Sequence, residues 1–299
     1  MELSESIGRQ TPELFYAGAP VQKHEIEDAT LAVRVFGRGP AIVLIHGYPV
    51  HGFTWRKLLP KLATEFTCYV VDLPGFGDSD WSPKTNFTFT AQAYRLDLLF
   101  KTLKLNNFTI MAHDTGATLA RLVSLLQPDK VKNLVIINTE MPNHRPPWIP
   151  FYQFCATLPF SSIIFKSLLK SSIFLRSPMG LGQFYSNAKL FDIPSNTSSY
   201  VNPLTESPKK LQGMLSYLKG IEWPVVDELI NQHKEIKSNI LFLWGEDDKT
   251  FPVELAEQMC SQFTCRYSFV RIPNASLMPQ EEQPDKVLEN LIPFLKELS

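Results

Sequence analysis

The sequence is poor in most features that mark a specialised chain. Its 299 residues hold only four cysteines, Cys68, Cys155, Cys260 and Cys265. None forms a CxxC pair or a Cys/His ligand spacing, which argues against a zinc site and for a reduced chain. No charge excess is present either: 29 Lys and Arg stand against 30 Asp and Glu, for a net charge of −1. Such a balance gives no long-range pull toward nucleic acid or an anionic surface, so partners have to be read from a site. No apolar run reaches the roughly 18 residues that a membrane span needs. The nearest, 154–175, is interrupted by Lys166, Lys170 and several serines. The first residues lack a basic stretch followed by an apolar one, so no signal peptide is expected and a cytoplasmic location is. Repeats and low-complexity tracts are missing as well.

What is present is ordinary globular composition, 44% hydrophobic and 20% charged, with a strong rhythm. Short apolar runs at 24–27, 31–36, 41–45, 67–71, 108–112, 134–137, 239–243 and 267–272 read as strands. Helical patterns lie between them at 54–64, 89–105, 117–126, 225–235, 253–261 and 285–298. Continuous aliphatic runs such as Ala41–Ile45 fit strands covered on both faces, and strands alternating with helices predict a mostly parallel α/β sheet. The rhythm breaks after Glu140. Residues 141–224 are rich in Pro, Phe and Ser and read as an insertion, leaving 1–140 and 225–299 as the core.

Chemistry concentrates at strand ends. Met111, Ala112, His113, Asp114, Thr115 and Gly116 form a strand-to-helix bend that pushes its central residue, Asp114, outward. A carboxylate there can attack an sp3 carbon and form an alkyl ester; the bland alternative is a simple helix N-cap. His46, Gly47, Tyr48 and Pro49 follow an earlier strand, Asp72 to Gly75 the next, and Trp244, Gly245 and Asp248 a late one. In this order the motifs resemble the α/β-hydrolase superfamily, in its haloalkane dehalogenase and epoxide hydrolase branch. The resemblance covers about 24–140 and 225–299.

That resemblance implies an α/β-hydrolase fold with a helical cap inserted after the sixth strand and no cofactor. It implies Asp114 as nucleophile and the backbone N–H groups of Tyr48 and Thr115 as an oxyanion or halide site. An acid at Asp248 or Glu140 would orient a histidine that activates water. The family's histidine lies in the loop after the last strand. Here that loop reads Pro273, Asn274, Ala275, Ser276, Leu277, Met278 and Pro279, so Leu277 occupies the place. Leucine accepts no proton, and hydrolysis of an Asp114 ester is expected to be impaired or altered. Thr115 also departs from the Trp or Arg that dehalogenases carry beside the nucleophile. His51 and His144 are the candidate replacement bases. The cap tyrosines Tyr152, Tyr185, Tyr200 and Tyr217 keep an epoxide-opening route available.

An apolar small molecule is therefore the expected ligand, held by His46, His144, Trp148, Tyr152, Tyr185 and Tyr217, with no nucleic acid, membrane span or metal. The bland reading of Glu140 is a hinge residue paired with Arg145. Two further readings stay open: a non-hydrolytic member, whether binding protein, lyase or cofactor-free oxygenase, and a pseudoenzyme scaffold.

Overall fold

The computed structural model describes residues 10–187 and 194–297. Helix α1 (Pro12–Gly18) precedes a hairpin of β1 (Val21–Ile26) and β2 (Ala29–Phe36). Then come β3 (Ala41–Ile45), α2 (Leu59–Leu62), β4 (Thr67–Asp72), the two-residue β5 (Asp80–Trp81), α3 (Phe89–Thr102), β6 (Phe108–His113), α4 (Thr115–Leu126) and β7 (Val131–Ile137). The strands join one nine-stranded sheet in the order β1-β2-β4-β3-β6-β7, continuing to β8 (Asn239–Gly245) and β9 (Tyr267–Ile272), with β5 beside β2. From β4 onward along this order all pairs are parallel, while β2 runs antiparallel to β1 and β4. Strands β6 and β7 are almost wholly buried, as continuous apolar runs require when both faces of a sheet are covered.

One expected helix is not formed. In place of a helix over 54–64 there is a single 3-10 turn, Gly52–Trp55, and then the short α2. Pro60 explains the break. In a continuous helix its ring would press on the carbonyl of Arg56, and it has no N–H to donate. Pro60 fits instead in the first turn of α2, where an N–H is unpaired anyway.

Between β7 and β8 the described chain is helical: α5 (Trp148–Thr157), α6 (Ser161–Lys170), α7 (Ser172–Arg176), α8 (Pro194–Tyr200), α9 (Asn202–Glu206), α10 (Pro208–Lys219) and α11 (Trp223–Gln232). Counting without the tiny β5, this cap follows the sixth strand. The core closes with α12 (Val253–Cys260), α13 (Pro279–Glu282) and α14 (Pro284–Glu297). Among the described residues no helix is long and apolar enough to cross a membrane.

Candidate active site

The site begins at the end of β6. Asp114 has φ 52° and ψ −131°. A non-glycine residue holds such a backbone only when its surroundings over-determine it. They do so here: the Asp114 N–H donates to the Asn138 carbonyl at 2.7 Å, and the Thr139 hydroxyl donates to the Asp114 carbonyl at 2.9 Å. Close packing completes the bend. A Cβ on Gly47 would sit 2.4 Å from the Asp114 Cβ, and one on Gly116 would sit 2.3 Å from the His46 carbonyl oxygen.

The carboxylate is received by backbone. The Tyr48 N–H donates to Asp114 Oδ2 at 2.7 Å, and the Thr115 N–H supplies a second bond. Burial outweighs these donors. It pushes the Asp114 carboxyl well above the usual carboxylate range, and the nearby charge of Glu140 pushes in the same direction.

Both candidate acids are buried, and each is held by its own donors. Asp248 accepts from Asn138 Nδ2 at 2.6 Å through Oδ2, and from the Thr250 and Phe251 N–H groups at 2.8 and 3.1 Å through Oδ1. Burial nevertheless pushes it up to about 7. Glu140 accepts from the Thr118 hydroxyl at 2.7 Å, and the Thr139 hydroxyl oxygen lies 3.1 Å away. Burial raises it too, against the pull of those bonds and of Arg121. Arg121 is fully buried behind it and donates to Thr118, Thr139 and the Glu140 carbonyl. The expected Glu140–Arg145 pair is not formed, because Arg145 reaches Asp227 on α11 instead.

Leu277 is 2% exposed and faces the same cavity as Asp114. Its carbonyl is 2.8 Å from His113 Nε2, which must be the protonated nitrogen because a carbonyl only accepts. His113 Nδ1 is buried without a hydrogen-bond partner, and burial pulls the ring down to about 3, so it is neutral.

The cavity measures about 100 Å³. From the core it is lined by Tyr48, Asp114, Thr115, Glu140, Thr250 and Leu277. The cap contributes mainly apolar side chains, among them Trp148, Ile149, Tyr152, Phe165, Leu169 and Met214. Trp148 and Tyr152 both line this cavity, although the Tyr152 hydroxyl is engaged with the Met179 carbonyl at 2.7 Å.

Four other expected ligand contacts lie elsewhere. His46 is buried behind the Tyr48 loop, where Nε2 accepts from the Leu73 N–H at 2.9 Å. His144 turns to the Thr250 carbonyl at 2.8 Å and packs on Phe251. Tyr185 donates to Glu281 at 2.9 Å, in a buried ion-pair cluster around Arg56. Tyr217 donates to the Thr115 hydroxyl at 2.9 Å from outside the cavity lining and stacks on Tyr48. Nor does either candidate replacement base face Asp114. His51 Nε2 lies 3.0 Å from the Ser199 carbonyl, and His144 is occupied as described. Among the described residues no group of three His, Cys, Asp or Glu side chains is placed to hold a metal. Sequence reasoning missed Arg121, Asn138 and Thr250. Only the Asn138–Thr139–Glu140 run beside a strand end carried any signal for them.

The buried groups set a pH dependence of stability. Burial lowers His46 to about 4 and His113 and His233 to about 3. Between those values and the unfolded histidine value of about 6.5 the unfolded chain binds more protons, so stability rises with pH. The raised carboxyls Asp114, Glu140 and Asp248 act oppositely. From an unfolded value near 4 upward the folded chain binds more protons, so stability falls as pH rises. The histidine contribution is spent about a unit above the unfolded value, at about pH 7.5, and the raised carboxyls then dominate. Stability, and the melting temperature with it, is therefore expected to fall between about pH 7.5 and 8.5, stability by up to about 1.4 kcal/mol per pH unit for each retained proton. Calorimetry across that window checks this. A melting temperature that climbed there would contradict the burial of neutral carboxyls.

The fold and the bend define an α/β hydrolase, and the sequence agrees: the α/β-hydrolase-fold family model matches residues 40–284, and the chain belongs to that family. Its relatives include epoxide hydrolases and a dehalogenase. It is 26% identical to human epoxide hydrolase 4 over 286 residues, covering 86% of this chain and 73% of that one. It is 33% identical to a fluoroacetate dehalogenase of Burkholderia over 118 residues, 38% of this chain and 39% of that one. Among solved structures, the epoxide hydrolase CorEH shares the fold with a TM-score of 0.78 at 18% identity, covering 94% of this chain and 99% of that one.

Proposed function

We propose that this protein captures an apolar small electrophile, an epoxide in first place, as an ester of Asp114 and clears that ester slowly. One observation carries the reading: Asp114 is held at a strained bend against the Tyr48 N–H, beside an apolar cavity in which Leu277 faces it. In this reading residues 141–224 form the cap that shapes the cavity, and the rest forms the core.

In the first step the Asp114 carboxylate attacks an epoxide carbon, and the carbon–oxygen bond of the ring breaks. The resulting alkoxide takes the hydroxyl proton of Tyr152, the cap tyrosine on the cavity wall, which must first leave the Met179 carbonyl, and the tyrosinate regains a proton from water. The Tyr48 and Thr115 N–H groups hold the ester oxygen. The second step needs a base to activate water, and neither His51 nor His144 faces the ester. An alkyl halide would follow the same course and release halide ion. Epoxides are favoured because Tyr152 lines the cavity while Thr115 brings no ring N–H to grip a halide. A second reading rests on the raised Asp114 carboxyl: where it keeps its proton, an acid group in an apolar cavity can bind a hydrogen-bond-accepting ligand reversibly, without a bond to carbon.

Incubation with a panel of apolar epoxides and haloalkanes, followed by intact-protein and peptide mass spectrometry, separates these readings. A mass gain on the peptide containing Asp114, absent from Asp114→Ala, is the expected result. Saturable binding without any mass gain would support the reversible reading instead. The capture rate carries a further expectation. Only ionised Asp114 attacks, and its carboxyl is raised by burial and by Glu140. The pseudo-first-order rate of adduct formation is thus expected to rise about tenfold per pH unit until Asp114 ionises. A rate that falls as pH rises, monitored by mass spectrometry, would exclude an ionised Asp114 as the attacking group.

A further inference from the structure

Clearance of an Asp114 ester needs a base, and the cavity wall narrows the choice. Among the described residues no histidine lines it, and its titratable side chains are Tyr48, Asp114, Glu140 and Tyr152. Burial raises both tyrosine hydroxyls, so neither is a tyrosinate near neutral pH. Asp114 is consumed by the ester itself, which leaves Glu140. Asp248, the other buried acid, does not line the cavity, and donors occupy both its oxygens. The contacts of Glu140 leave it room to act. The Thr118 and Thr139 hydroxyls both lie at Oε2, and the Glu140 N–H bonds its own carboxylate. A carboxylate offers about four acceptor sites, so one stays open with all three contacts made.

Electrostatics shift in the required direction as the ester forms. In the free protein the two carboxylates repel, and Glu140 raises Asp114. An esterified Asp114 carries no charge, so its part of that repulsion vanishes. Arg121 on α4 then favours the ionised form of Glu140. Of the other titratable groups nearby, Tyr217 on α10 keeps its proton through burial, and Asp248 acts on Asp114.

We propose that Glu140 is the base that activates water against the Asp114 ester, a step that rests on capture by Asp114 as proposed above. The Glu140 carboxylate takes a proton from water, and the water oxygen bonds to Asp114 Cγ. The Tyr48 and Thr115 N–H groups hold the oxyanion that forms. Its collapse breaks the bond between Cγ and the ester oxygen, and the departing alkoxide takes the proton back from Glu140. Asp114 is left as a carboxylic acid and the product as an alcohol, so one water is consumed and no charge is left over. A cavity of about 100 Å³ has room for this water beside a small ester, since a water needs about 10–15 Å³. A carboxylate is a weaker base than an imidazole, in keeping with slow clearance.

The test loads the full chain with styrene oxide, removes the excess by rapid desalting and follows loss of the adduct by intact-protein mass spectrometry. Glu140→Gln should form the adduct no more slowly than the parent, because the charge that raises Asp114 is gone. It should then clear the adduct about 10²-fold more slowly or worse. A purely structural role for Glu140 predicts the reverse, with capture impaired. The parent chain supplies a second measurement that needs no variant to fold. Its clearance rate should rise as Glu140 ionises and then level off. A rate that climbs about tenfold per pH unit all the way from about pH 6 to 9.5 is hydroxide attack without a base and overturns the proposal. So does a Glu140→Gln adduct that clears at the parent rate, while capture by Asp114 stands. No mass gain on the Asp114 peptide of the parent overturns capture and clearance together.

Discussion

Leu277→Asn-type substitutions change only size and polarity, but Leu277→His is expected to turn an accumulating Asp114 adduct into steady epoxide turnover, about 10²-fold or more above the parent chain. The site holds most of what that histidine needs. Leu277 faces the cavity that Asp114 lines, so an imidazole there can meet water beside the ester. In the proposed reading Asp248 is the residue that would hold the ring. Its two oxygens offer about four lone-pair sites, and the structure fills three of them with Asn138, Thr250 and Phe251. One acceptor site therefore remains for a ring N–H. A neighbouring imidazolium would also favour the ionised form of Asp248, which burial now holds up at about 7. Stopped-flow product release and intact mass measured on the same sample test this. If the variant keeps the parent melting temperature yet still accumulates adduct without product, the missing imidazole is not what limits clearance.

The second large effect concerns stability. Arg56 and Glu281 form an ion pair at 3.1 Å, with both side chains only 1% exposed. Arg56 also donates to Asn196 at 2.6 Å and lies over the Phe53 ring at 4.2 Å. Tyr185 and Tyr200 both donate to Glu281. Three of these partners come from the chain between β7 and β8, so the pair ties the cap to the core loop that carries α13. Arg56→Met leaves the Glu281 carboxylate buried without its ion-pair partner. Such a loss costs about 3–5 kcal/mol, or roughly 6–15 °C in melting temperature for a chain of this size. Replacing both residues, Arg56→Met with Glu281→Leu, should return much of that loss, because the stranded charge is gone. Denaturant titration of the two variants decides the point. A single variant that loses less than about 1 kcal/mol would mean that water reaches Glu281.

The strands and the bend were legible because their signals are local. The aliphatic runs around Ala41–Ile45 and Leu134 name buried parallel strands, and a small-residue bend carrying Asp114 can sit only between a strand and a helix. The order of these motifs added the family, and the flanking prolines and glutamates around Leu277 fixed its register. The ligand wall was less legible. His46 and His144 are polar residues near the site in sequence, but backbone groups, the Leu73 N–H and the Thr250 carbonyl, claim their rings. Nothing local foretells that choice. Tyr185 was drawn away by Glu281, which lies 96 positions later. Arg56 and Glu281 are separated by 225 positions, and no spacing rule connects them. Arg121 reads as an ordinary residue of an apolar helix until β7 places Glu140 against it. The missing helix over 54–64 had a local cause, Pro60, that the periodicity outweighed.

The bond between His113 and the Leu277 carbonyl has a consequence of its own. The loop after β9 is anchored through its main chain, by His113 at position 277 and by Glu282 on the Ser276 N–H at 2.7 Å. Neither anchor involves the side chain at 277. The main-chain anchors of the loop are thus the same whether leucine or histidine is borne there. In the proposed reading, the second half of the reaction is lost or regained at one position whose backbone is already fixed.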